Sequence, residues 1–247
     1  MYLCGRMAND WFQFRRFLVR QDRCAMKVGT DGVLLGAWAP LDGGTPVLDI
    51  GTGTGIVSLV AAQRLERDMC RMEKCITAIE LDSAASAQAS DNFAASPWKK
   101  HMECLNVDVN KFECGFHFGT ILCNPPYFRN SLRCPDSARN SARHGDDLSF
   151  EDLAACVARL LEPDGLFSAI LPSDSVPTFI RAFALNALYP VRRTDVCTVA
   201  GKPPKRTLLA FSHVPSPCAG NLLALADTAG KTSAEYAALV KNIYVNI

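Results

Sequence analysis

Val47-Leu48-Asp49-Ile50-Gly51-Thr52-Gly53-Thr54-Gly55 is the stretch from which the fold of this chain follows. Four residues suited to a buried strand run into three glycines at alternate positions. From Ile56 to Arg64 apolar residues then recur at helical spacing. A strand that turns through glycines into a helix brings backbone N–H groups close to a ligand, and glycine is needed where a Cβ would collide with it. The spacing is Gly-x-Gly-x-Gly, with Ile56 where the third glycine of a dinucleotide fingerprint would stand. No Gly-Lys-Ser/Thr ending follows, which excludes a triphosphate loop.

Outward from this turn the chain alternates between strand and helix. Residues 75–79, 102–107, 120–123 and 166–171 read as strands, and 83–95, 150–161 and 174–188 as helices. Ser149 reads as the N-cap of the 150–161 helix, with Asp152 at its third position. Segments 191–199 and 207–212 flank Gly201-Lys202-Pro203-Pro204 and read as a terminal antiparallel hairpin. Ahead of the turn, 11–20 reads as extended and 31–38 as a helix, joined through a basic stretch. The expectation is an α/β, Rossmann-like fold with a doubly wound, mostly parallel sheet, whose ligands bind beyond the strand C-termini at the switch point. Residues 1–44 are expected to be an extension covering the ligand site, and 45–247 the main domain.

Length and composition bound the rest. A chain of 247 residues suits one large α/β domain, and 49% hydrophobic content with a formal charge of +1 describes an ordinary globule. Near-neutrality leaves nucleic acid open, because local patches do the binding. The 11 cysteines are odd in number and never spaced Cys-x-x-Cys, which argues against a disulfide framework or a zinc site and fits a reducing cytosol. Cys123, ending an apolar strand, reads as a small core residue. No uncharged apolar run approaches the ~20 residues that span a bilayer, and residues 11–16 are too short and polar for export. The expectation is a cytoplasmic protein with neither membrane nor metal; its oligomeric state stays open, a monomer being the simpler case.

Asp49 lies at the mouth of the glycine turn, where it would repel a pyrophosphate. It would suit a ligand carrying a positive amino group, as S-adenosylmethionine does. Glu80 closes the second strand of the series, where a carboxylate can accept from both ribose hydroxyls. Asp108 follows the third and is placed to accept from an adenine amine. Asp82 reads as a helix N-cap.

Asn124-Pro125-Pro126-Tyr127 follows the apolar strand Ile121-Leu122-Cys123 and so lies on the same ligand face. The two prolines fix the backbone and leave carbonyl acceptors exposed. A planar amino group has two protons to donate. The Asn124 side-chain oxygen and the Pro125 carbonyl can accept both and push lone-pair density toward a sulfonium methyl. No strong base is required, because the amine loses its proton after it has become cationic. Tyr127 or Phe128 would stack on a flat acceptor.

With these residues the chain resembles the class I S-adenosylmethionine-dependent methyltransferases that carry an amino-methylating Asn-Pro-Pro-Tyr signature. More narrowly, it resembles the bacterial enzymes that methylate N6 of adenine 37 in the anticodon loop of tRNA1(Val). The narrower likeness rests on residues 17–38, on Ala142-Arg143-His144, on Lys205-Arg206 and on the closing segment 236–244. It implies donor binding by Asp49, Gly51, Glu80 and Asp108, Asn124 to Tyr127 around the target amine, and a cover formed by 27–38. Lys27, Gly53 and Gly55 join the expected donor site, and Asn124 serves both sites. The insert at 67–74 departs from the family pattern and reads as a surface loop.

Anticodon-loop bases are unpaired and can be splayed into a pocket at modest cost. Arg15, Arg16, Arg20 and Arg23, the loop residues Arg129, Arg133, Arg139 and Arg143, and Lys202, Lys205 and Arg206 form a candidate phosphate rim. Each cluster reads equally as a solvated face. His144 reads as a loop hydrogen-bonding residue, and Trp38 and Phe128 divide between core and pocket. The Asn-Pro-Pro-Tyr signature also serves glutamine-N5, DNA adenine and ribosomal guanine-N2 methyltransferases. The first normally carry a longer helical domain before the glycine turn than the 45 or so residues present here. A non-catalytic RNA-binding scaffold would be expected to lose the amine-facing residues, and all four are intact.

Overall fold

The alternation read from the sequence is realised in the computed structural model, which describes residues 9–42, 44, 46–67, 75–125 and 148–246. A short hairpin, β1 (Trp11–Gln13) and β2 (Leu18–Arg20), leads to the helix α1 (Thr30–Trp38). Then come β3 (Val47–Ile50), α2 (Ile56–Leu65), β4 (Ile76–Glu80), α3 (Ser83–Ala94), β5 (Met102–Asn106), a 3-10 turn at Val109–Lys111, and β6 (Phe118–Cys123). After the 126–147 segment follow α4 (Phe150–Leu160), β7 (Leu161–Pro172), α5 (Val176–Ala184), β8 (Tyr189–Val199), β9 (Arg206–Ser212), β10 (Ala219–Ala226) and α6 (Ala234–Val240).

Among the described residues, eight strands form one sheet in the order β10-β8-β9-β7-β6-β3-β4-β5. Only β9 runs against its neighbours; the other strand pairs are parallel. All four residues of β3 are buried, as expected where a parallel strand is covered on both faces. One face is covered by α1 and α2, with Val33, Leu35, Trp38, Leu59 and Val60 in a single apolar cluster. The other is covered by α4 and α5, where Phe167, Phe179, Phe183 and Phe211 stack at ring separations of 4.3–6.4 Å.

The packing of α1 on α2 depends on two glycines one turn apart. A Cβ on Gly32 would stand 2.9 Å from the Ile56 side chain, and one on Gly36 would stand 2.8 Å from Val60 Cβ. Arg64 of α2 donates to the carbonyls of Gly36 and Ala39 at 2.8 and 2.7 Å, satisfying acceptors that the end of α1 leaves open. Trp38 is core: it is 4% exposed, its indole N–H donates to Thr194 Oγ1 at 2.8 Å, and Arg192 stacks 4.4 Å from its ring centroid.

Three elements differ from the sequence expectation. The strand expected at 166–171 is Leu161–Pro172, continuous with the end of α4 and carrying a register shift opposite Phe118–Thr120. The helix expected at 174–188 shortens to Val176–Ala184; Pro177 sits in its first turn and Ala187, at φ 53, takes a left-handed conformation that ends the helical path. The 191–212 hairpin forms, but β10 follows it and pairs in parallel with β8 at the sheet edge.

Candidate active site

Strand register brings the expected site residues together. Ile50 of β3 stands opposite Cys123 of β6 on one side and Ile79 of β4 on the other. Gly51, Glu80 and Asn124 therefore emerge side by side at the carboxyl edge. Glu80 pairs with Asn106, which places Asp108 just beyond the next strand end. The chain leaves β3 toward β4 and β5, then returns to lay β6 on the other flank of β3. The edge between β3 and β6 is thus the switch point where α/β sheets bind ligands.

The glycine turn is held in a conformation that needs glycine. Gly51, Gly53 and Gly55 have φ of 68, 56 and 82°. A Cβ on Gly51 or Gly53 would meet nothing within 4 Å, so both face open space. Gly55 differs, because a Cβ there would lie 2.5 Å from the Phe93 ring; it is a packing glycine that also caps α2. The sequence grouped it with the ligand contacts, and its Cβ direction points into the fold.

Asp49 lies behind the turn rather than at its mouth. It is 1% exposed, and its Oδ2 accepts from Thr52 Oγ1 at 2.6 Å, Ser58 Oγ at 2.7 Å and the Ser58 backbone N–H at 3.2 Å. Burial pushes its carboxyl up to about 6, against the lowering effect of the Ser58 and Thr52 bonds. All three bonds end on Oδ2, and Oδ1 takes none of them. Glu80 is half-buried; one oxygen accepts from Gly53 N–H at 2.9 Å and the other from Asp82 N–H at 3.0 Å, tying the second strand end to the turn. Asp108 caps the 3-10 turn by accepting from Asn110 N–H at 2.9 Å, with Lys111 Nζ 3.9 Å away. Asp82 caps α3 through Ala85 N–H, as expected.

Asn124, half-buried, and Pro125, buried, directly follow β6. Pro126, Tyr127, Phe128, Arg129, Arg133, Arg139, Arg143 and His144 lie outside the described residues.

The basic residues take several positions. Arg206 donates to Asp31 of α1 at 2.8 Å and to the Lys205 carbonyl at 3.0 Å, joining β9 to α1. Arg23 pairs with Asp91, and Arg16 with Glu66. Arg15 donates to the Tyr244 carbonyl at 3.3 Å, and Lys27 stands 3.5 Å from Asp10. Lys202 and Lys205 are exposed, as is the Arg20 side chain.

Sequence reasoning missed the residues that join the N-terminal arm to the turn. Asn92 of α3 accepts from Arg20 N–H at 2.9 Å and donates to the carbonyls of Arg20 and Thr54 at 2.8 and 2.9 Å. One turn earlier, Gln88 accepts from Arg23 N–H at 3.1 Å. The arm also passes Glu80: burial, and then the nearby Glu80 and Asp82 charges, raise the Cys24 thiol to about 11. A Gln and an Asn four residues apart among small helix residues were the available signal. Among the described residues no group of His, Cys, Asp and Glu could hold a metal ion, and no helix is long and apolar enough to cross a membrane.

Solved structures share this architecture. A predicted O-methyltransferase from Agrobacterium tumefaciens superposes with a TM-score of 0.63 at 20% identity, over 86% of this chain and 96% of that one. A glycopeptide N-methyltransferase complexed with S-adenosylmethionine gives a TM-score of 0.52 at 16% identity, over 75% and 99%. The fold is thus that of the Rossmann-like methyltransferases, and residues 32–140 match the family model described as methyltransferase small domain. Proteins named tRNA1(Val) (adenine(37)-N6)-methyltransferase are similar over nearly the whole chain. That of Phocaeicola vulgatus is 45% identical, covering 98% of this chain and 100% of its own length. That of Bacteroides fragilis is 41% identical, with the same coverage, and that of Pectobacterium carotovorum is 39% identical over 97% and 95%. The chain belongs to this family.

Proposed function

We infer that this protein transfers the methyl group of S-adenosylmethionine to the N6 amino group of adenine 37 in the anticodon loop of tRNA1(Val). The carrying observation is identity of 38–45% across nearly the full length of relatives bearing that name. The site supports it: Gly51 and Gly53 face open space at the switch point, and Asn124 stands on the adjoining strand end.

These residues fit the donor. The open cradle before Gly51 and Gly53 would admit its methionine portion, and Glu80 would accept from the ribose hydroxyls. Asp108 would accept from the adenine amine, and Oδ1 of Asp49 would face the amino group. Lys27 and the arm ahead of α1 would form the cover, since α1 itself is packed on α2 in the core. Bound S-adenosylmethionine supplies an electrophilic methyl on a sulfonium sulfur. The Asn124 side-chain oxygen and the Pro125 carbonyl accept the two protons of the target amine and orient its lone pair. Holding nitrogen in line with the methyl does much of the remaining work. As the C–N bond formed, the S–CH3 bond would break and its electron pair would return to sulfur, leaving S-adenosylhomocysteine; the nitrogen, then cationic, would release one proton to solvent. Pro126 would fix the turn and Tyr127 or Phe128 would stack on the adenine. Arg20, Arg23, Arg139, Arg143, Lys205 and Arg206 would contribute to the RNA rim, with Arg206 acting from its seat on Asp31. The reaction belongs in the cytoplasm, where tRNA is modified.

The test is transfer of labelled methyl to total tRNA lacking this modification, followed by nucleoside analysis. N6-methyladenosine in valine tRNA is the expected product. Label only in ribosomal RNA, as N2-methylguanosine, or only in a release-factor glutamine, would overturn the assignment. Asn124→Ala is expected to lower kcat by about 100-fold or more, on the scale of losing one transition-state acceptor, with donor affinity changed only a few-fold. Equal loss of donor binding would remove Asn124 from its proposed role.

A further inference from the structure

The N-terminal hairpin has two unlike faces. Pairing sets Trp11 opposite Arg20, Phe12 opposite Val19 and Gln13 opposite Leu18. Phe12 and Val19 share one face by the two-residue period of a strand. Val19 is buried there, and the Phe12 ring packs 4.7 Å from Phe14 and 6.1 Å from Tyr244. The opposite face presents Trp11, Leu18 and Arg20, which with Asp10 and Asp22 line a depression of about 310 Å³. That is at the lower end of the range for small-molecule clefts, roughly 300–1,000 Å³. Trp11 is 52% exposed, although an isolated two-stranded hairpin is too weakly stable to display a large aromatic without anchoring.

The anchoring is present, and it leads to the active site. Asn92 grips both backbone groups of Arg20 and also the Thr54 carbonyl in the glycine turn. The depression therefore has a fixed relation to the donor loop without containing any residue assigned to it. Its lining offers what a nucleotide needs: an indole to stack on, an aliphatic wall, one guanidinium for a phosphate, and the carboxylates of Asp22 and of Asp10, the latter 3.5 Å from Lys27 Nζ, which could accept from base N–H groups.

We propose that the depression lined by Trp11, Leu18 and Arg20 is a second nucleobase site, taking an unpaired base of the tRNA other than the target adenine. It rests on the reading of tRNA as substrate. Stacking here would secure the loop while the target base is splayed into the site beside Asn124.

Trp11 is also a built-in probe, because the other two tryptophans, Trp38 and Trp98, are 4% and 3% exposed. Unmodified tRNA1(Val) transcript is titrated into wild type, Trp11→Phe and Trp11→Ala, following tryptophan emission and, separately, binding of labelled transcript. The expected results are a saturable quench in wild type, and near-normal binding without that quench in Trp11→Phe. Binding should be about 5- to 100-fold weaker in Trp11→Ala, the range for one lost base stack. Donor affinity is expected to be equal in all three. A quench that survives in Trp11→Phe, or wild-type binding by Trp11→Ala, overturns the site. If wild type methylates the transcript while Trp11→Ala binds it normally, only this inference falls. If wild type neither binds nor methylates tRNA, the functional reading falls with it.

Discussion

Asp49 and Asn124 stand on adjacent strands, yet their surroundings set them to different work. Asp49 is a buried acid whose value rises from the ordinary 3.8 to about 6 on folding. Such a group holds its proton more tightly in the native state than in the unfolded chain. Its contribution to stability is therefore most favourable below the unfolded value and declines as pH rises from 3.8 to about 6. The decline amounts to at most roughly 3 kcal/mol, because each pKa unit is worth about 1.4 kcal/mol. Asp49→Asn removes the titration while keeping an acceptor oxygen for Ser58 and Thr52. Urea unfolding at pH 5 and pH 8 should show the variant gaining stability relative to wild type at the higher pH. Wild-type donor affinity should strengthen as pH rises through about 6, a rise that the variant lacks. Parallel pH dependences in both measurements would contradict the assignment of Asp49.

The helices and strands carry the site through packing that only partly shows in the sequence. In α1 the Gly32 and Gly36 positions exist because Ile56 and Val60 of α2 occupy the space a side chain would need. Gly36→Ala gains about 1 kcal/mol of helix propensity but forces overpacking that costs about 1–3 kcal/mol. The expected result is a Tm lower by a few degrees, read by thermal unfolding; an unchanged or higher Tm would show that the helices yield. The central strands were legible because buried parallel strands are continuous apolar runs, as in Val47–Ile50 and Phe118–Cys123. β10 was not, since Ala219-Gly220-Asn221-Leu222 has little intrinsic strand preference and pairing with β8 decides its state. In the site, Gly51, Glu80 and Asn124 could be placed because each ends a strand. The seat of Asp49, the inward turn of Gly55 toward Phe93 and the Asn92 bond to Arg20 could not. The last two depend on contacts between residues distant in sequence, and the first on how the turn folds Thr52 and Ser58 back onto the strand end, which no apolar pattern encodes.

Across the whole molecule, one sheet edge gathers what the chemistry needs. β3, β4 and β5 end in the proposed donor-side groups, β6 runs into Asn124, and the N-terminal arm is bolted beside them by α3. The apolar clusters on the two sheet faces leave that edge to polar residues. Recognition of an anticodon loop by such a surface joins a splayed target base to contacts around it. Methylation is accordingly expected to follow the identity of one base in one loop. The direct measurement compares an unmodified tRNA1(Val) transcript with the same transcript carrying guanine in place of adenine 37, using labelled S-adenosylmethionine and nucleoside analysis. One methyl group per tRNA, recovered as N6-methyladenosine from the first transcript and absent from the second, is the predicted result. Equal label in both transcripts would contradict it.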